Sequence, residues 1–277
     1  MTLSRRAFLG LMAVAALPVA TGGLWSTQVE PNWVAVERIA LRLRRLPARL
    51  DGLRIAQLSD LHISPLVSQG DIARAVALTL DQAADLIVLT GDFIWHDASF
   101  ADQLVAPLRG LTAPLGVYAI FGNHDHWHGA GRVADSLQAA GIDLLENRAL
   151  RLETGTDPLW LAGVDDIWEE RQDLALTLRN VPEDQCTVLL AHEPDFGDEA
   201  ATYPVDLQLS GHSHGGQIRL PFVGAPVLPY LGRKYPIGLY QVGDMALYTN
   251  RGIGLIAPPV RLNCRPEITV LTLRAGG

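Results

Sequence analysis

An α/β fold of two packed mixed β-sheets flanked by helices follows from three features of the sequence. Short apolar runs rich in β-branched residues recur along the chain, and each stops abruptly in Asp, Asn or His, usually with a glycine nearby. Helical patterns fill the intervals between them. Unbroken apolar runs mark strands buried on both faces, and their alternation with helices makes a largely parallel sheet covered on both sides. At 277 residues, 48% hydrophobic and 19% charged, the chain is long enough for a full core within one large domain.

The chain opens with MTLSRRAFLGLMAVAALPVATGG, where two arginines precede an apolar, Ala-rich run from Phe8 to Ala20. That run is shorter than the roughly 20 residues a bilayer-spanning helix needs, and a Gly/Thr-rich break follows it. This is the layout of a secretory signal, and Ser4-Arg5-Arg6-Ala7-Phe8-Leu9 is similar to the twin-arginine type. Residues 1–22 are therefore expected to direct export by the twin-arginine machinery to the periplasm or the outer face of the inner membrane, either cleaved or retained as an anchor. Residues 23–50 read as a connector followed by an edge strand. There Val34, Val36, Ile39, Leu41 and Leu43 alternate with one slip of phase, the signature of a bulge.

Residues 51–277 carry the main domain. LRIAQL runs into Ser59-Asp60-Leu61-His62, LIVL into Thr90-Gly91-Asp92, and VYAIF into Gly122-Asn123-His124-Asp125. TVLLA runs into His192-Glu193-Pro194, and VDLQL into Ser210-Gly211-His212-Ser213-His214. Helical patterns lie at Asp71–Gln82, Phe100–Leu108, Gly131–Ala140, Gln172–Leu178 and Pro194–Ala201. Towards the C-terminus, Gly238–Val242, Ala246–Thr249 and Ile268–Leu273 read as antiparallel strands with hairpin turns, one of them at Gly243-Asp244.

The net charge of −8 becomes about −10 without Arg5 and Arg6, because the first twenty-odd residues hold those two cations and no acid. An acidic surface repels phosphate backbones and argues against a nucleic-acid partner. Two cysteines, Cys186 and Cys264, are too few for a disulfide framework and read as buried thiols.

In parallel sheets ligands gather outside the carboxyl ends of the strands, so the five polar clusters converge on one rim. The donors there are Asp60, His62, Asp92, Asn123, His192, His212 and His214, oxygen and nitrogen without a thiolate. Such a set suits Mn²⁺ first, with Fe or Zn²⁺ as alternatives, and it is too large for one ion. Asp92 is the natural carboxylate to bridge two divalent ions about 3.5–4 Å apart, a pair that stabilises both the entering and the departing oxygen in displacement at phosphorus. In an extended chain Asp60 and His62 point to the same side. The glycines at 211 and 215 allow His212 and His214 either to share an ion or to turn and serve different ones.

Taken together, Asp60-x-His62, Gly91-Asp92, Gly122-Asn123-His124-Asp125, His192 and Gly211-His212-x-His214 resemble the motif set of the calcineurin-like metallophosphoesterases. The resemblance runs from about Leu53 to Leu273. It implies the αββα sandwich of that family, with Asp60, His62, Asp92 and His214 holding one metal and Asp92, Asn123, His192 and His212 the other. It further implies that His124 faces the substrate phosphate as acid or electrostatic stabiliser, and that Asp125 fixes its tautomer. The C-terminal text GHSHGGQIRLPFVGAP, KYPIGLY, YTNRGIG and VRLNCRPEITVL is similar to the bacterial YkuE/YaeI-type branch, in which twin-arginine signals are common.

The implied activity is hydrolysis of a phosphodiester or pyrophosphate bond in the cell envelope. Two alternatives stand beside it: a lipid pyrophosphate hydrolase of the UDP-2,3-diacylglucosamine type, and a metal-binding scaffold without turnover. Arg251 is the candidate substrate-binding residue, since a guanidinium fork matches phosphoryl oxygens. Asp165, Asp166 and Trp168 are candidates to line the cleft. The apolar stretch Ile218, Leu220, Phe222, Val223, Val227, Leu228, Tyr230 and Leu231 either touches a lipid or membrane surface or packs as a lid.

Overall fold

The apolar runs become strands because each alternates between two hydrophobic layers. In strand β3 (Leu86–Thr90), Leu86 and Val88 point into the space between two sheets, while Ile87 and Leu89 point at the outer helices. The computed structural model describes residues 21–276 apart from 154, 156 and 157, so nearly all of the signal expected at residues 1–22 lies outside the described residues. Among the described residues no helix is long and apolar enough to cross a membrane.

Among the described residues, twelve strands form two six-stranded sheets. In chain order they are β1 (Ala35–Leu43), β2 (Arg54–Leu58), β3, β4 (Val117–Ile120), β5 (Asp143–Leu144), β6 (Arg148–Leu152), β7 (Leu159–Gly163), β8 (Thr187–Leu190), β9 (Leu207–Ser210), β10 (Gly238–Val242), β11 (Met245–Thr249) and β12 (Glu267–Ala275). The first sheet runs β1-β12-β2-β3-β4-β5 and the second β10-β11-β9-β8-β7-β6. Leu41, Ile55, Val88 and Ile120 of the first sheet meet Leu161, Val188, Leu190 and Leu209 of the second in the central core. The outer face of the first sheet is covered by helices Gln69–Leu80 and Ala130–Ala140 through Ile72, Val76, Val133 and Leu137. Leu174, Leu178 and Phe196 cover the second.

Helix Gln69–Leu80 starts where Ser68 and Asp71 form a reciprocal capping box. Helix Ala130–Ala140 ends at Gly141, whose left-handed φ of 82° supplies the C-terminal turn.

The expected fold class is the one observed, with several local differences. Strand β1 pairs with β12 in one unbroken parallel register over nine residues, so the phase slip is not a bulge. That pairing makes residues 35–43 an edge strand of the first sheet. Strands β5, β6 and β7 were not expected. Strand β5 has only two residues and β6 carries Arg148 and Arg151, so both are held by pairing to neighbours, as in the Arg148–Gly163 to Leu152–Leu159 ladder, more than by local preference; β7 (LWLAG) is an apolar run like the expected strands. The three late strands do not form one meander: β10 and β11 make the hairpin, whereas β12 crosses to the first sheet, antiparallel to β2 and parallel to β1.

Candidate metal centre

The strands β2, β3, β8 and β9 all end at one rim, and their next residues fold inwards. Asp60 (φ 50°), His62 (46°), Asp92 (58°), His212 (68°) and His214 (50°) all adopt the left-handed conformation. Non-glycine residues seldom occupy that region, so the surrounding structure must hold them there. Backbone hydrogen bonds do so: Asp60 N–H donates to Gly91 O (2.9 Å), His62 N–H to Asp92 O (3.0 Å) and Ile63 N–H to Phe93 O (2.9 Å). This corrects the extended-chain account of Asp60 and His62. Left-handed turns, and not strand alternation, aim them at one place. His212 and His214 also lie on a turn, with Ser213 N–H bonded to Gly211 O at 2.7 Å, and join different groups.

Two buried sets of ligand atoms result, each lying within 4.8 Å: Asp60, His62, Asp92 and His214, and Asp92, His192 and His212. They share Asp92. Its Oδ2 lies 3.4 Å from His62 Nε2 of the first set and 3.2 Å from His192 Nε2 of the second. His62 Nε2 is 3.0 Å from His214 Nε2, and His214 Nε2 is 3.3 Å from Asp60 Oδ1. Asn123 is buried and lines the same cleft, and its Oδ1 has no hydrogen-bond partner.

Do these residues fit divalent ions? Carbonyl oxygens only accept, so a ring nitrogen facing one must carry the proton. His62 Nδ1 faces Ile94 O (3.4 Å), His192 Nδ1 faces Thr90 O (2.6 Å) and His212 Nε2 faces Tyr230 O (2.7 Å). Each ring thereby turns its other nitrogen towards the site, the arrangement that orients metal-binding imidazoles. Burial pushes His62 and His212 down to about 3, so both are neutral donors. Burial, with the Asp92 carboxylate beside it, pushes Asp60 up to about 7: anionic charge is concentrated here, and a cation relieves it. His192 Nε2 and Asn123 Oδ1 are buried without hydrogen-bond partners. The donor set and the unpartnered atoms fit two divalent cations.

Glycine makes the approach possible. A Cβ on Gly122 would stand 2.7 Å from the Asp92 backbone nitrogen and 2.8 Å from His192 Cε1, which no side chain tolerates.

His124 lines the cleft on helix Asn123–His128, and its backbone N–H donates to Asp92 Oδ1 at 2.9 Å. Its ring lies edge-on to His62 at 5.0 Å, and its buried Nδ1 has no partner. Asp125 does not orient it, a correction to the expected role. The Asp125 carboxylate instead accepts from four backbone N–H groups, those of Asp92, Phe93, Ile94 and Gly122, at 2.8–3.3 Å. It thus ties the β3 turn to the β4 turn. Arg251 is also corrected: its guanidinium is paired with Glu37 (2.6 Å) and buried Glu267 (2.5 Å), outside the metal cleft. Charge neutralisation between β1 and β12 employs it.

The cleft, about 430 Å³, is walled by Trp127, Trp168, Ile218, Val227, Leu228, Ile256 and Pro258 as well as the ligands. Trp168 meets Trp127, His212 and Tyr230 edge to face at 5.3–5.7 Å. Asp166 stands behind the wall, and Asp165 holds His126 Nε2 at 2.6 Å. Trp127, Ile256 and Pro258 were not expected. A tryptophan two residues after the GNHD motif was the available signal for the first; the other two become wall residues only through tertiary folding. Cys186 and Cys264 are buried and free.

Residues 53–216 match the family described as calcineurin-like phosphoesterase. The chain is 38% identical to the uncharacterized metallophosphoesterase YkuE of Bacillus subtilis, over 99% of this chain and 98% of that one. It is 37% identical to phosphodiesterase YaeI of Escherichia coli, over 98% and 99% respectively. The UDP-2,3-diacylglucosamine pyrophosphatase LpxG of Chlamydia muridarum is 28% identical over 94% of this chain and 95% of its own. With these matches spanning the same residues that build the shared-carboxylate cluster, the chain belongs to the calcineurin-like phosphoesterase family of metal-dependent phosphoester hydrolases.

Proposed function

We propose that the protein hydrolyses a phosphodiester or pyrophosphate bond of an amphiphilic cell-envelope substrate, with two divalent ions, preferably Mn²⁺, held by the two ligand sets. The carrying observation is that Asp92 Oδ2 faces a histidine of each set at 3.2–3.4 Å. Bound divalent ions supply hydroxide at neutral pH and offset charge on the entering and departing oxygens.

The chain's own residues do the rest. Asp60 and Asp92 provide the anionic charge, while His62, His192, His212 and His214 present fixed lone pairs. Burial holds the His124 imidazole below its ordinary range, so it is neutral at pH 7 and serves as a hydrogen-bond donor to a phosphoryl oxygen. The Trp127–Trp168 side and the Val227–Leu228 side exclude water and accept an apolar group attached to the phosphate. LpxG, named as a pyrophosphatase of a diacylated substrate, supports the amphiphilic class. Arg5-Arg6 followed by the apolar run supports twin-arginine export; Arg5→Lys with Arg6→Lys should leave the protein in the cytoplasm.

Purified protein reconstituted with Mn²⁺ should hydrolyse bis(p-nitrophenyl) phosphate, and Asp92→Ala should abolish both turnover and stoichiometric binding of two ions. Two tightly bound ions without turnover under Mn²⁺, Fe²⁺ or Zn²⁺ would establish the scaffold reading instead.

A further inference from the structure

The segment after His214 differs from the rest of the chain in charge and in exposure. Between His214 and Gly243 there is no acid, while Arg219, Arg233 and Lys234 are present, in a chain of net charge −8. Leu220 and Gly224 exchange two backbone hydrogen bonds of 2.9 Å and close a tight hairpin. At its tip Phe222 is held at φ 66° and is 109% exposed, and Val223 is 71% exposed. Val227 (75%) and Tyr230 (57%) follow on the same loop. A phenyl ring fixed in water by an unfavourable backbone conformation has no role within a monomer's core.

The hairpin is rigidly mounted. Ile218 bridges Leu262, and Gln217 donates to the carbonyls of Ile256 and Pro258 at 3.2–3.3 Å while accepting from Ile256 N–H at 3.0 Å. This laces the hairpin loop to the exposed corner Ala257-Pro258-Pro259. The cleft opens between the same two loops, which contribute Val227, Leu228, Ile256 and Pro258 to its wall. Arg261 N–H donates to Ser26 O at 2.9 Å, so the first described residues of the chain attach at this corner, and the apolar sequence Phe8–Ala20 directly precedes them.

We propose that the Leu220–Gly224 hairpin is a bilayer-docking wedge: Phe222 and Val223 insert into an anionic lipid surface, Arg219 and Arg233 meet its phosphates, and the adjoining cleft receives an amphiphilic substrate from that surface. Lys234 is paired with Asp198 at 2.7 Å, so it is Arg219 and the exposed Arg233 whose charge favours an anionic bilayer as the occupant. The described chain begins at residue 21, five residues before the Ser26 contact, so an apolar N-terminal sequence retained as an anchor would favour this face towards the membrane. The source of substrate deepens the proposed hydrolase reading and rests on it, whereas the docking itself does not.

The test uses the full chain carrying Phe222→Cys, with the introduced thiol labelled by an environment-sensitive fluorophore; the two native thiols are buried. Vesicles of phosphatidylcholine with phosphatidylglycerol should shift the emission to the blue, brominated lipid should quench it, and phosphatidylcholine alone should give a weaker response. Phe222→Ser with Val223→Ser should weaken partitioning to the anionic vesicles by at least about tenfold. Its melting temperature and its turnover of bis(p-nitrophenyl) phosphate should be unchanged. An unshifted emission on vesicle-bound protein would overturn the proposal, because the N-terminal sequence alone would then make the contact. A blue shift in the absence of lipid, with doubled mass in solution, would overturn it in favour of a second copy of the chain. Vesicle binding is read without metal or turnover, so its failure and that of the hydrolase reading are separable.

Discussion

The metal rim and the apolar wall around Val227, Leu228 and Ile256 face one cleft and are built on opposite principles. On the rim, Asp60, His62, Asp92 and His192 are at most 1% exposed, and nearly every polar atom is held by backbone or faces the cation positions. On the wall, apolar side chains stand in solvent on a rigid loop. The rim must reproduce one geometry because charge in a buried site is tolerated only when it is matched. The wall has no such constraint. On the proposed reading, reaction type resides in the rim and substrate choice in the wall, and a substitution in one should leave the other's readout in place.

The largest effect expected is at His124. His124→Gln should lower kcat on bis(p-nitrophenyl) phosphate by about 10²–10⁴-fold, while elemental analysis still finds two ions. Loss of metal instead would make His124 a part of the ligand shell. Next is Arg251, at the back of the rim. Arg251→Ala leaves buried Glu267 without its cation, although the Tyr248 and Thr269 hydroxyls still donate to it, and should cost about 3 kcal/mol in urea unfolding. Its KM for the same substrate should equal that of the wild type, since the guanidinium touches Glu37 and Glu267 and not the cleft. A raised KM at full stability would return Arg251 to the site.

Asp125→Ala strips the acceptor from four backbone N–H groups and should cost about 2–3 kcal/mol, with metal affinity reduced because the Asp92 turn loosens. The titration of His124, followed by NMR, should shift little; a large shift would restore direct contact between the two side chains.

The smallest effect lies at the edge of the wall, where His126 meets Asp165. Burial works against the His126 imidazolium, but the Asp165 carboxylate outweighs it and raises His126 above its ordinary value. Burial likewise works against the Asp165 carboxylate, and His126 and Arg171 outweigh it and lower that group. The stabilisation from His126 is thus complete below about pH 6.5 and fades as pH rises through its raised pKa; that from Asp165 is complete above about pH 4 and fades on acidification. Asp165→Asn should lower the His126 pKa in an NMR titration and cost less than about 1 kcal/mol, the His126 share of that cost fading as pH rises and the Arg171 share remaining at neutral pH.

The sequence alone determined the layered α/β fold and the polar residues that end its strands; their division into two ligand sets was implied by the family resemblance. Apolar runs such as LIVL admit few environments other than a strand buried on both faces, and each run ends in a polar group that a core cannot hold unpaired. The edge strands β5 and β6 escaped because partners stabilise them more than their own residues do, and β12 changed sheets because pairing across more than two hundred residues leaves no local trace. Tertiary structure alone decided that Asp125 braces four amides, that Arg251 serves an ion pair, and that left-handed turns aim Asp60, His62 and Asp92. Residue type and local pattern record hydrophobicity and the kind of donor present; the direction in which a donor points depends on backbone torsions and distant neighbours, and only the folded chain fixes those.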